Sequence, residues 1–284
     1  MNKMIKIFDI ESYPPHLVRL IDQQRDLFID YYEKDRHTSN KLPPVAWWLQ
    51  ENYKTHSKYQ KLQRDVYDQL NGCWIEGFHI TRAFPDGDFL KKYYWKQGLR
   101  LPDRVFTKEY IADILSRIDG SPNEKASFRE YFKNRYQDDT GHDDADLSFS
   151  SRKETISIFS ANSNFALYDF SDNMSFLYGK NVLGEINRDH MDTIKKSTLY
   201  QSLIQRTCPH IIQLRFRITE TMNGSSEYSR DFVLNQLIGI LASKHFLLDS
   251  WGINKDNSIF FAHLKSEIPP EQILSIEKLP QGTL

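Results

Sequence analysis

The stretch Cys73-Trp74-Ile75-Glu76-Gly77-Phe78-His79-Ile80-Thr81-Arg82 marks the change of texture on which the fold turns. Residues 73–80 are aromatic and β-branched, which predicts a strand. Everything before them reads as helix. Pro14-Pro15 sits at a helix start, where a missing N–H costs little. Leu17, Leu20, Ile21, Leu27, Phe28 and Tyr31 then recur at helical spacing. His37 to Pro44 is a polar, proline-ended break. A second helical pattern runs from Val45 through Trp48, Leu49, Leu62, Val66 and Leu70, with Gly72 as its stop.

Past the strand, residues 86–97 predict a helix that ends at Gly98. Helical patterns over 107–118 and 124–136 flank Gly120-Ser121-Pro122-Asn123, which predicts a turn. Residues 137–151 carry Asp138, Asp139, Asp143, Asp144, Asp146, Gly141 and His142 and predict a loop. The second half alternates: strands over 155–160, 210–218, 258–264 and 273–276, helices over 190–206 and 229–245. In the strand over 210–218, Ile212, Leu214, Phe216 and Ile218 fall on one side. Short strands between helices, without a regular βαβ rhythm, predict an α+β fold and not a doubly wound sheet.

The 284 residues are ample for a core. Apolar residues make up 39%, and an aromatic share of 13% supplies burial that the aliphatic count withholds. The net charge of −1 argues against a chain whose main task is to grip a phosphate backbone, while leaving room for a local basic face. Cys73 and Cys208 are the only cysteines and form no CxxC, against a disulfide framework or a cysteine-built zinc site. The start has no apolar leader, and no run approaches the ~20 apolar residues of a membrane span. A soluble cytoplasmic protein without a membrane partner is the expectation.

Three constellations carry chemistry. Phe8-Asp9-Ile10-Glu11 places two carboxylates at the end of a short β-like stretch, where paired Mg²⁺ ions would serve a metal-dependent nuclease. Its plainer reading is a pair of acids near a helix start. The acidic stretch 137–151 offers hard-metal ligands but lacks EF-hand spacing, and a solvated loop is its commoner meaning. In the central stretch His79 and Thr81 alternate with Ile80, so they leave one face of the strand together. A histidine and a hydroxyl there can hydrogen-bond a ribose, and Arg82 can meet a pyrophosphate. On physics alone, a satisfied core histidine at 79 is the simpler reading. Trp47-Trp48, Tyr31-Tyr32 and the set Lys54, His56, Lys58, Lys61 and Arg64 in the helical front offer a partner surface, or else a covering layer with a solvated charged face. No serine elbow, P-loop, Rossmann glycine set or HExxH is present.

His79-Ile80-Thr81-Arg82 followed by a helix and Gly98-Leu99 resembles the first motif of ADP-ribosyltransferase-like proteins, above all their nucleic-acid-modifying toxin branch. Two later stretches are similar to further parts of that superfamily: Ser175 to Glu185, an aromatic-Gly segment ending in Gly184-Glu185, and Ser258 to Ile273, a closing strand followed by Ile268-Pro269-Pro270. The resemblance spans residues 73–280 as scattered short motifs. It implies an N-terminal helical region over 1–72 and, over 73–284, a domain with a split mixed or antiparallel sheet in which Pro209 to Arg215 is an inner strand. It implies NAD as substrate, His79 on the ribose, Thr81 and Arg82 beside it, and transfer to a nucleic-acid or protein acceptor. It also implies the setting of a bacterial toxin or phage-defence effector with a neutralising antitoxin.

One departure matters. The superfamily's catalytic glutamate lies on a late strand, and Phe260-Phe261-Ala262-His263 carries no acid. Glu185 is the first candidate for that role, Glu220 the second and Glu267 the third, against the commoner fate of a solvated surface glutamate. Tyr178, and less so Tyr168, would stack on nicotinamide. A non-catalytic NAD- or nucleotide-binding module of the same fold stands beside the enzyme reading.

Overall fold

Pro14 caps the first helix with an extended backbone (φ −60°, ψ 135°), and Pro15 occupies its first turn as the sequence predicts. The structure, a computed structural model, describes residues 4–7, 9–37, 51–53, 55–99, 104–126, 128–129, 147–150, 196–221, 230–246, 261–264 and 267–278. Two units divide the chain. The first comprises Met1–His79, Leu147–Thr155 and Gln213–Ser266; the second comprises Ile80–Asp146, Ile156–Ile212 and Glu267–Leu284.

In the first unit, β1 (Met4–Ile5) runs parallel to β2 (Trp74–Ala83), Met4 opposite Trp74 and Ile5 opposite Ile75. On the other side, β2 meets β3 (Leu147–Ser150) antiparallel at Phe78 and Ser150. Next, β3 pairs antiparallel with β5 (Phe261–Leu264), from Leu147 opposite Leu264 to Ser150 opposite Phe261. The strand β4 (Cys208–Phe216) neighbours β2. The sheet is therefore mixed, and the fold is α+β.

Helices α1 (Pro15–Asp22), α2 (Arg25–His37) and α3 (Ser57–Leu70) belong to this unit, as does α7 (Arg230–His245). Both α1 and α3 bury one face: Leu17 and Ile21 on the first, Tyr59, Leu62, Val66 and Leu70 on the second. Those faces pack on each other and on α7. Apolar on nearly every side, α7 is buried from Phe232 to Ser243 save Gln236, as expected of a helix with no polar face to offer water. Residues 1–72 thus share a core with the chain's last third. Phe28 of α2 is fully buried and meets Phe246 with ring centroids 6.1 Å apart.

The second unit holds α4 (Gly87–Leu90), a wide turn over Lys91–Trp95, α5 (Arg104–Arg117), α6 (Thr198–Arg206) and β6 (Ile273–Lys278), which neighbours β4. Its core gathers Phe89, Tyr93, Ile114, Leu115, Phe128, Leu199, Leu203, Ile211 and Ile212.

Three expectations are corrected. Residues 147–150, predicted as the end of a loop, form β3, because backbone pairing with β2 and β5 outweighs local composition. The helical pattern to Leu70 is interrupted: His56 is extended (φ −78°, ψ 119°) and starts a new helix at Ser57. The turn at 120–123 is also a helix start. Ser121 Oγ accepts from the Glu124 N–H at 3.2 Å, and Glu124 Oε2 accepts from the Ser121 N–H at 2.7 Å, a capping box that opens the turn over 122–126. The acidic residues 137–146, the strand expected at 155–160, Trp47, Trp48 and Lys54 lie outside the described residues. No helix among the described residues is long and apolar enough to cross a membrane.

Candidate functional site

The alternation of β2 sorts its side chains into two faces. Ile75 is fully buried and Gly77 is buried, while His79, on the same side, is half-exposed. The backbone of Thr81 and Arg82 continues the strand; their side chains lie outside the described part of the structure. By the division into units, His79 belongs to the first and Thr81 and Arg82 to the second.

The opposite face carries a cluster the sequence reading passed over. The guanidinium carbons of Arg215 and Arg217 lie 4.7 Å and 4.5 Å from the Trp74 ring centroid. Such cation–π stacking holds a flexible arginine in one orientation. Beside them, Gln213 Nε2 donates to Glu76 Oε1 at 2.7 Å. The signal for this face was present: Gln213, Arg215 and Arg217 alternate with Ile212, Leu214 and Phe216, each of which is fully buried.

After β2, Asp86 Oδ1 accepts from the Phe89 N–H at 2.7 Å and caps α4. Phe84 packs edge-on against Phe89 at 5.1 Å. The helix runs on into the wide turn and stops at Gly98, whose N–H donates to Tyr94 O at 2.8 Å and whose φ is +77°. A Cβ at Gly98 would run into the carbonyl oxygen of Ile268, so only glycine permits this approach. Leu99 and Ile268 then exchange both backbone hydrogen bonds, each at 2.9 Å. Ile268 leads through Pro269 and the turn Pro270–Gln272 into β6. The Gly-Leu and Ile-Pro-Pro segments, 170 positions apart in the chain, are joined side by side within the second unit.

The candidate acids have separate surroundings. Glu220 closes the short helical turn Ile218–Glu220, its Oε2 accepting from the Arg217 backbone N–H at 2.7 Å. Glu267 is exposed, one residue before the bridge at Ile268. Glu185, Tyr178 and Tyr168 lie outside the described residues. Near the start of the sequence, Asp9 Oδ1 accepts from the Glu11 N–H at 3.1 Å, so this carboxylate caps a turn. Among the described residues, no three His, Cys, Asp or Glu side chains gather as a metal site.

A charged cluster lies beside the Gly98 helix. Asp113 of α5 accepts from Arg117 Nε at 2.7 Å, from the Tyr93 hydroxyl at 2.8 Å and from Lys92 Nζ at 3.2 Å. Arg117 also pairs with Asp86 at 2.8 Å and lies over the rings of Phe84 and Phe89. Burial works against ionising Asp113, and the donated hydrogen bonds from Arg117, Tyr93 and Lys92 outweigh it, holding its carboxyl below the usual value. The cluster ties α4 and the turn after it to α5.

Comparison with known proteins gives no match: no family model, curated protein or solved structure is significantly similar to the chain.

Proposed function

We propose that the chain is an NAD-dependent ADP-ribosyltransferase acting on a nucleic-acid or protein acceptor. The pairing of Leu99 with Ile268 carries this reading, because it joins the Gly-Leu and Ile-Pro-Pro motifs of the resemblance downstream of the strand bearing His79 and Thr81. The bond between nicotinamide nitrogen and ribose C1′ breaks, and its electron pair leaves with nicotinamide. The acceptor's nucleophile bonds to C1′ and gives up its proton. His79 holds the ribose beside Thr81, Arg82 meets the pyrophosphate or the acceptor, and Tyr178 lines the nicotinamide pocket. Glu185 stabilises the positive charge that develops on the ribose, a charge greater in the transition state than in the bound substrate. Glu220 and Glu267 are the alternatives for that acid. By the same resemblance the setting is a toxin or phage-defence effector, with an antitoxin as partner.

A second reading is favoured by β5: Phe261–Leu264 forms a strand and carries no acid. A chain that kept the fold and lost the acid would bind NAD without turning it over. Incubation of the full chain with NAD⁺ and measurement of nicotinamide distinguishes the two. The transferase reading expects release by the wild type and a loss of at least about a hundredfold in His79→Ala and Glu185→Gln, the scale of losing one transition-state contact. Equal release from all three overturns the site. NAD binding without release by the wild type selects the binding module.

A further inference from the structure

Among the described residues, two large apolar side chains stand exposed: Trp95 at 43% and Leu274 at 38%. Trp95 ends the wide turn that continues α4. There the Lys96 N–H donates to Lys91 O at 3.0 Å, an i→i+5 closure that brings Lys96 beside Lys91. The widened turn lets adjacent Tyr93 and Tyr94 both reach buried positions, 1% and 7% exposed. Trp95 is left facing water between exposed lysines at 91, 92 and 96. Lys92 is engaged with Asp113 at 3.2 Å. For the side chains of Lys91, Lys96 and Trp95 no partner is present among the described residues. The segment Lys91-Lys92-Tyr93-Tyr94-Trp95-Lys96-Gln97 holds three lysines and no acid, in a chain whose net charge is −1. Wide turns of this kind recur at functional positions.

An exposed indole flanked in the chain by exposed lysines is poorly suited to the core of a protein interface, where lysines are depleted. It suits a ligand that offers a flat π-surface next to a negative charge. That is the chemistry of an unpaired nucleobase with its phosphate, where stacking on aromatic side chains combines with a positive track for the backbone. We propose that the Trp95 turn is a binding platform for single-stranded nucleic acid, one base stacking on Trp95 while Lys91 and Lys96 contact the flanking phosphates. The proposal does not rest on the proposed reaction, and its test needs no NAD.

The experiment is fluorescence anisotropy of the full chain with labelled 20-nucleotide poly(dT) and poly(U) across a salt series, with duplex DNA and phosphatidylserine vesicles as parallel arms. The expected result is salt-dependent binding of the single strands, weakened about five- to hundredfold by Trp95→Ala and largely kept by Trp95→Phe. Lys91→Gln with Lys96→Gln should lower the magnitude of the log–log salt slope by about 1.4, two phosphates at about 0.7 each. Circular dichroism checks that each variant remains folded. Single-strand binding that is absent, or that is indifferent to both Trp95→Ala and the lysine pair, overturns the proposal. So does binding confined to vesicles or to duplex. Nicotinamide release measured on the same variants reports on the reaction separately.

Discussion

Two helix pairs are locked by opposite kinds of polar contact. In the first unit, α3 is fastened to α7 by neutral groups: the Tyr59 hydroxyl and Gln63 Nε2 both donate to Asn235 Oδ1 at 2.6 Å. Tyr59 is fully buried and Asn235 is 2% exposed. In the second unit, the turn after α4 is fastened to α5 by charges, with Asp113 taking bonds from Lys92, Tyr93 and Arg117. The neutral lock lies deep, where an unpaired ion would be costly. The charged lock lies near the surface, with Asp113 at 16% and Arg117 at 32% side-chain exposure, so its ions keep part of their hydration. Removing one partner therefore costs differently in each place, and only one lock responds to acid.

The largest effect is expected just beyond the charged lock. Gly98→Ala forces a Cβ against the Ile268 carbonyl at a backbone conformation that side chains rarely adopt. A loss of about 3 kcal/mol or more is expected, from backbone strain plus the broken bridge. Urea unfolding at pH 7 measures it; a loss under about 1 kcal/mol would show that the bridge yields easily. Next comes the neutral lock. Asn235→Ala leaves one buried donor, Tyr59, and one partly buried donor, Gln63, without their acceptor and should cost about 2–3 kcal/mol. Burial pushes the Tyr59 hydroxyl well above its usual value, with Asp231 adding to the shift, so the trio keeps its charge state across neutral and acid pH. The same loss at pH 5 as at pH 7 is the expected readout, and a strong pH dependence would place a hidden ion in this core. The smallest effect belongs to the charged lock. Asp113→Asn should cost about 1–2 kcal/mol at pH 7, reduced by solvent near the surface. The folded carboxyl titrates below its unfolded counterpart, so its stabilisation is full above the unfolded value near 3.8 and fades as pH falls further. Wild type and Asp113→Asn should converge in thermal unfolding as pH drops below about 4. A gap that persists there would show the loss to be packing.

The comparison also separates what was legible in the chain from what was not. The helix after β2, its stop at Gly98 and a strand expected over 210–218 and found over Cys208–Phe216 follow from local pattern, since period and caps act over a few residues. The strand at 147–150 was missed because its local composition is loop-like and its partners lie far along the chain. Of the candidate site, the position of His79 on a strand was legible. The Trp74–Arg215–Arg217 cluster was written in the alternation of β4, but which aromatic the arginines would meet was not.

By itself, the sequence determined the α+β class, the helical front, the one-sided burial of α1 and α3 and the need for glycine at the helix end. Each depends on residue type and spacing alone. Only the tertiary structure decided that Gly98 abuts Ile268, that Asn235 serves Tyr59 and Gln63 from more than 170 positions away, and that β1 lies parallel to β2. Those are choices of partner. Partners are selected by which complementary surfaces close a core together, and periodicity carries no record of them.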